Sequence, residues 1–396
     1  MKIKIISLLI FLTGFQLLVQ AQERQGDTTS YKLIIPEEKQ KLLTNIDMIV
    51  NMQMGLRNDF QDGEYLGSTF KFEQFRLEIK GYVTEKVFFR FRHRYTSTFE
   101  PQSIDKIIKG VDFAYLRFDL SDKWQFTFGK TFADWGGFEF DLNPIDIYEY
   151  SDIIEMADNF LFAAGVYNQT FKNHGFSFQL INSRTAEFTD IYGNNPNITP
   201  SKTTLGTVFN WRGSFFDGKL TTLWSYSLFN EAKDRFKNYF AFGNQLKLDK
   251  LTLYYDFKYS IEGLDRTRVI SNDVAHLING YAVDNTLYYS HWGKVDYRFK
   301  PKWQISFVGF IDQAKWQDNP PELTIPKNTD DWRTAYGFIP TLEFFPYDEI
   351  NLKFFAGYVG RVYNYSEFAE SIPGGNLVDY NTGRAIFGLI SPLHIF

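Results

Sequence analysis

The 396-residue chain contains no cysteine, which excludes a disulfide framework and a thiolate metal site. That lack suits a protein that crosses an oxidising periplasm before it folds. Only five histidines occur, too scattered to nominate a catalytic triad, and no Gly-x-Ser-x-Gly elbow is present. No spacing of His or carboxylate residues marks a metal site, and nothing points to a redox or nucleotide cofactor. The formal charge is only −5, so electrostatics give no reason to expect a nucleic acid as partner. Beyond Ala21 there is no apolar run long enough to cross a bilayer as a helix, which takes about 20 residues.

The first 21 residues read as a secretory signal peptide. Lys2 and Lys4 supply a positive start, Ile5 to Val19 an apolar stretch, and Val19-Gln20-Ala21 small residues at the two positions a signal peptidase reads. Loss of the two lysines would take the charge to −7. Residues 22–44 are polar, with charges clustered as in Pro36-Glu37-Glu38-Lys39, and read as a periplasmic lead-in. Residues 45–396 form the third division.

What is abundant is aromatic: 42 Phe, 24 Tyr and 8 Trp in a chain of negative mean hydropathy. A closed barrel reconciles these facts, because its strands alternate lipid-facing apolar with lumen-facing polar side chains. From Asn45 the period becomes two. Ile46, Met48, Val50, Met52 and Met54 share one face, and Asp47, Asn51 and Gln53 the other. The pattern recurs through sixteen segments. Short links are expected after every even strand and long links after every odd one, as periplasmic turns and outer loops would produce. The expected fold is all-β: a transmembrane antiparallel up-and-down β-barrel of about sixteen strands in a bacterial outer membrane. The terminal Phe396 reads as the signal by which barrel-assembly machinery recognises such a chain.

Parity then assigns the lumen. If Phe75, Leu77 and Ile79 face lipid, Arg76, Glu78 and Lys80 face inward. If Val87, Phe89 and Phe91 face lipid, Arg90, Arg92 and Arg94 form an inward ladder, with Arg117 on the next strand. A charge at the lipid midplane costs about 2–4 kcal/mol, which sets the wet face. Such a basic wall favours anions.

The longest link, 131–159, carries Asp134, Glu139, Asp141, Asp146, Glu149 and Asp152, followed by Glu155 and Asp158, and no Lys or Arg lies between Lys130 and Lys172. Its turn residues and apolar anchors suggest that it folds into the barrel and narrows it, its carboxylates facing the arginine wall. The function expected is a porin: passive diffusion of small hydrophilic solutes, with anions favoured. A sugar-specific channel using Trp135, Trp211, Trp224, Trp292 or Trp316 as stacking platforms is the alternative, and a barrel-type hydrolase the second.

Phe89-Arg90-Phe91-Arg92, and Trp124-Gln125-Phe126-Thr127-Phe128-Gly129-Lys130 leading towards Gly136-Gly137-Phe138-Glu139, resemble the phosphate-selective porin O and P family. The resemblance covers nearly the whole mature chain. It implies a sixteen-stranded trimeric channel with an inward third loop and basic residues guiding anions. The acidic loop and the lack of a lysine cluster beside the ladder depart from the family's pattern.

Overall fold

The computed structural model describes residues 46–96, 103–317 and 330–395. The segments expected to be a signal peptide and a lead-in, and Phe396, lie outside the described residues. Sixteen antiparallel strands form one closed barrel, each paired with its sequence neighbours and β1 with β16. They are β1 (Ile46–Gln61), β2 (Glu64–Thr84), β3 (Val87–Arg94), β4 (Val111–Asp119), β5 (Trp124–Phe132), β6 (Phe160–Phe171), β7 (His174–Asn182) and β8 (Leu205–Phe215). The second half comprises β9 (Leu220–Ala232), β10 (Arg235–Lys247), β11 (Leu251–Leu264), β12 (Asp284–Lys300), β13 (Trp303–Trp316), β14 (Asp331–Phe344), β15 (Lys353–Tyr365) and β16 (Tyr380–His394). No helix of the described residues is long and apolar enough to cross a membrane.

Burial runs opposite to that of a water-soluble protein. On β11 the side chains of Asp256, Lys258, Ser260 and Glu262 are buried, while Tyr255 and Ile261 are exposed. Leu116, Phe128, Phe178, Phe209, Phe307 and Phe338 continue the exposed apolar face around the wall. This is the expected outcome where the outer solvent is lipid and every backbone donor is satisfied by a neighbouring strand.

The links differ from the expected strict alternation at two places. Those after β3, β5, β7, β11, β13 and β15 are long, but β1–β2 and β9–β10 close on two residues each. Asp62 and Gly63, with φ of 49° and 85°, make the first a tight turn of the Asp-Gly kind that hairpins favour. Backbone pairing therefore carries β1 and β2 outward to Gln61↔Glu64, beyond the stretch of strong apolar alternation.

The third outer link lies inside the barrel and fills one side of it. Its Trp135 packs on Phe229 of β9 and Tyr239 of β10, with ring centroids 5.0 and 5.2 Å away. Phe138 and Ile145 join a second cluster with Trp292, Phe310, Ile339 and Phe355 of β12–β15. Residues of the outer links 265–283 and 366–379, among them Ile270 and Phe368, join the Trp135 cluster. Apolar clusters thus pack against β6–β16, while open space lies along β1–β5, beside β15 and β16, and beside β6–β9.

Candidate functional site: the lumen wall and its loop

Two glycines let the loop approach the wall. Gly136 and Gly137 have φ of 78° and 85°, a region that side chains disfavour. A Cβ on Gly136 would stand 2.6 Å from Ser225 Oγ of β9, and one on Gly137 3.0 Å from Asp256 Oδ2 of β11. The helical turn Phe138–Asp141 then begins with its first amides aimed at Asp256, which accepts from Phe138 N at 2.9 Å and Glu139 N at 2.7 Å. Side chain and dipole together hold the turn, as an anion does at a helix start.

Each of the six loop carboxylates singled out by sequence has a basic partner on the wall behind the loop. Arg212 of β8 reaches Asp134 at 2.7 Å and Asp141 at 2.9 Å. Lys258 of β11 pairs with Glu139, whose carboxylate also accepts from Ser151 N and Oγ. Lys353 of β15 meets Asp146 at 2.8 Å, and Arg384 of β16 meets Glu149 at 2.8 Å. Asp152 lies between Arg333 of β14 and Arg361 of β15, at 2.5 and 2.9 Å. Burial pushes the Asp152 carboxyl up, but these two guanidiniums outweigh it and hold it below its ordinary range. The expected facing of carboxylates towards the arginine ladder is thereby corrected. The apolar anchors seat the loop on β8–β16, and its charges find bases there.

The opposite wall carries the ladder. Antiparallel register sets Arg76 beside Arg94, Glu78 beside Arg92, and Lys80 beside Arg90. Arg90 pairs with Glu78 at 2.9 Å; the Asp112 carboxylate lies 3.3 Å from Arg76, 3.0 Å from Arg92 and 3.9 Å from Arg94. Glu78, turned inward by parity, and Asp112, not weighed from sequence, hold like charges together at adjacent positions. The guanidiniums of Arg90 and Arg92 each lie 4.1 Å from the centroid of Phe113, which stiffens both side chains. Arg117 shares the ladder's parity but sits nearer the short-turn end, where it pairs with Asp119 at 2.9 Å and donates to Tyr82 Oη. It does not line the ladder's cavity.

That cavity, about 860 Å³, lies between ladder and loop and is lined by seven Lys or Arg side chains against four Asp or Glu. Three of the four are already paired: Asp141 with Arg212, Asp158 with Arg266 and Glu78 with Arg90 of the ladder itself. A second cavity of about 270 Å³ shares Gln74, Tyr150 and Glu155 with the first, and a third of about 560 Å³ shares Arg57, Glu149 and Arg384 with the second. The three form a path along β1, β2 and β16, with Gln74, Tyr150 and Glu155 at its neck. Desolvation in the lumen, and then the nearby Glu149 carboxylate, hold the Glu155 pKa above its usual value.

The tryptophans are placed otherwise than the sugar reading needs. Trp135, Trp292 and Trp316 are buried, and Trp211 and Trp224 pair with each other across β8 and β9 on the outward face, 5.2 Å apart. Parity on β8, β11, β15 and β16 marks Arg212, Lys258, Arg361 and Arg384 as inward, and that signal could have found the loop's seat; which carboxylate each would meet is not in the alternation.

Solved structures share this architecture at low sequence identity. The outer membrane channel DcaP of Acinetobacter baumannii matches with a TM-score of 0.60 at 9% identity, over 88% of this chain and 98% of that one. OmpF of Salmonella typhi gives 0.56 at 10% identity, over 87% and 98%. OmpT, an outer membrane protein of Vibrio cholerae, gives 0.51 at 8%, over 88% and 97%. No curated protein matches by sequence. The model of one family, phosphate-selective porin O and P, matches residues 48–378. With a closed sixteen-stranded wall and an open lumen, the chain belongs to the phosphate-selective porin O and P family and is a channel of the bacterial outer membrane through which small hydrophilic solutes diffuse passively.

Proposed function

We propose that the channel favours anions, and that Arg76, Lys80, Arg90, Arg92 and Arg94 set this preference. One observation carries the reading: six of the loop's eight carboxylates pair with bases on β8–β16 and Asp158 pairs with Arg266, so most of its acidity is spent away from the ladder. What faces the permeant is then the surplus of bases lining the main cavity. An anion entering that low-dielectric space meets guanidiniums already ordered by Glu78, Asp112 and Phe113, so little reorganisation opposes its passage.

In this reading the protein is not an enzyme. Its histidines are dispersed: His174 lies beside Trp211, His291 beside Tyr255, and His276 touches Pro373 of another outer link. Assembly as a homotrimer belongs to the same proposal. An OmpT of Vibrio cholerae with a similar fold is described in a trimer form, and Phe70 and Phe72 of β2 are strongly exposed beside the short strands β3–β5, which suits burial against another copy. Lipid around the outward aromatics, and engagement of assembly machinery by Phe396, complete it.

The test is the reversal potential of the purified protein in a planar bilayer under a potassium chloride gradient. Chloride preference that falls in Arg92→Glu is the expected result. Cation preference in the unaltered protein would overturn the assignment of selectivity to the ladder.

A further inference from the structure

The main cavity is not uniformly polar. Four phenylalanines line it alongside the arginines: Phe113, Phe132, Phe140 and Phe160. They form a connected group, with ring centroids 6.2 Å apart for Phe113 and Phe132, 5.4 Å for Phe113 and Phe160, and 6.4 Å for Phe132 and Phe140. The Arg92 guanidinium lies 5.2 Å from the Phe160 ring as well as over Phe113. Cationic and aromatic surface therefore adjoin within a single side-chain radius on the wall of the main cavity. A hydrated inorganic anion gains nothing from such rings, whereas sites for organic ligands typically combine an apolar lining with a few placed polar groups.

We propose that the preferred permeant is an organic anion: a phosphate, sulfonate or carboxylate headgroup on a flat apolar or aromatic body. The headgroup meets the ladder. A guanidinium has five N–H donors, and Glu78 and Asp112 take only some of those on Arg90 and Arg92. The body lies against Phe132, Phe140 and Phe160, which are only partly buried, in contrast to Phe113 at 3% exposure. A cavity of about 860 Å³ admits a solute of that size together with water. This inference rests on the anion-favouring reading and narrows its substrate class.

The experiment compares three probes with the same headgroup: inorganic phosphate, methyl phosphate and phenyl phosphate, each titrated against the chloride current of the full channel in a planar bilayer. Phenyl phosphate is expected to interrupt the current at a concentration lower than methyl phosphate by about tenfold, the gain from covering one ring. Phe132→Ser and Phe160→Ser should each bring that ratio towards one, and Arg92→Gln should weaken both organic probes together. Equal potency of phenyl and methyl phosphate on the unaltered channel overturns the inference while leaving the anion reading intact. A cation-selective current with no response to any probe overturns the anion reading itself. The comparison on the unaltered channel needs no variant to fold.

Discussion

Replacing Lys258 by methionine should unseat the third loop without disturbing the barrel. Lys258 and Glu139 are 1% and 0% exposed on the side chain, so the Glu139 carboxylate would be left buried with only Ser151 as partner. Removing one member of a buried pair typically destabilises by about 3–5 kcal/mol. That corresponds to roughly two to four powers of ten in the docking equilibrium of the loop. Hydrogen exchange reads such an equilibrium directly. The amide of Ser151, accepted by Glu139 at 2.6 Å, and that of Phe138, accepted by Asp256 at 2.9 Å, are the reporters. Exchange of peptides within 133–159 should accelerate by about a hundredfold or more, while peptides from β13 and β14 keep their protection. Open-channel current noise should rise in parallel. The double variant Lys258→Met/Glu139→Gln keeps the hydrogen bonds to Ser151 and removes the stranded charge, so it should recover most of the protection. An increase below about threefold in the single variant, with unaltered strand protection, would refute the view that this pair holds the loop.

Gly137→Ala forces a side chain into φ +85° against Asp256, and should loosen the same seat by about 1–3 kcal/mol, read as a smaller acceleration of the same peptides. Excising residues 138–152 removes five of the six paired carboxylates and exposes their bases, so conductance and chloride preference should both increase; an unchanged conductance would contradict a loop that narrows the lumen. Because the Glu155 pKa is raised, its charge at the neck is lost as pH falls, beginning above the ordinary carboxylate range of about 4.3. Chloride preference should therefore climb on mild acidification, and Glu155→Gln should abolish that pH dependence. Asp152 has the opposite sign. Its lowered pKa preserves its two ion pairs until the pH falls below the ordinary aspartate range of about 3.9, so loop docking through Arg333 and Arg361 should persist through the Glu155 titration.

The barrel was legible because a period of two is a local property. Alternation fixed the face of Arg76, Arg90, Arg92 and Arg94 without knowledge of any partner, and the strand count followed from its repetition. The tight β1–β2 turn was also written locally, in Asp62-Gly63, but was masked by the weakening of apolar alternation after Leu56. The loop was legible only in part. Its apolar anchors and excess of carboxylates were visible, whereas the wall that receives it depends on contacts such as Glu139 with Lys258, 119 positions apart. A segment without regular period carries no parity, so nothing in residues 133–159 says which way each acid points. Asp112 illustrates a further limit: a register shift between Arg92 and His93 in the β3–β4 pairing brings it to three arginines at once, and bulges of this kind leave no clear mark in the alternation.

The loop's seat is also spread along the chain. The loop precedes every strand that holds it, since its bases run from Arg212 to Arg384. Only Arg212 stands on β8; Lys258, Arg333, Lys353 and Arg361 follow on β11, β14 and β15, and Arg384 stands on the closing strand. The narrowing of the lumen is therefore completed only as the wall is completed. An unfinished barrel would hold an unneutralised acidic segment, and the mature charge pattern of the pore appears only with closure of the ring.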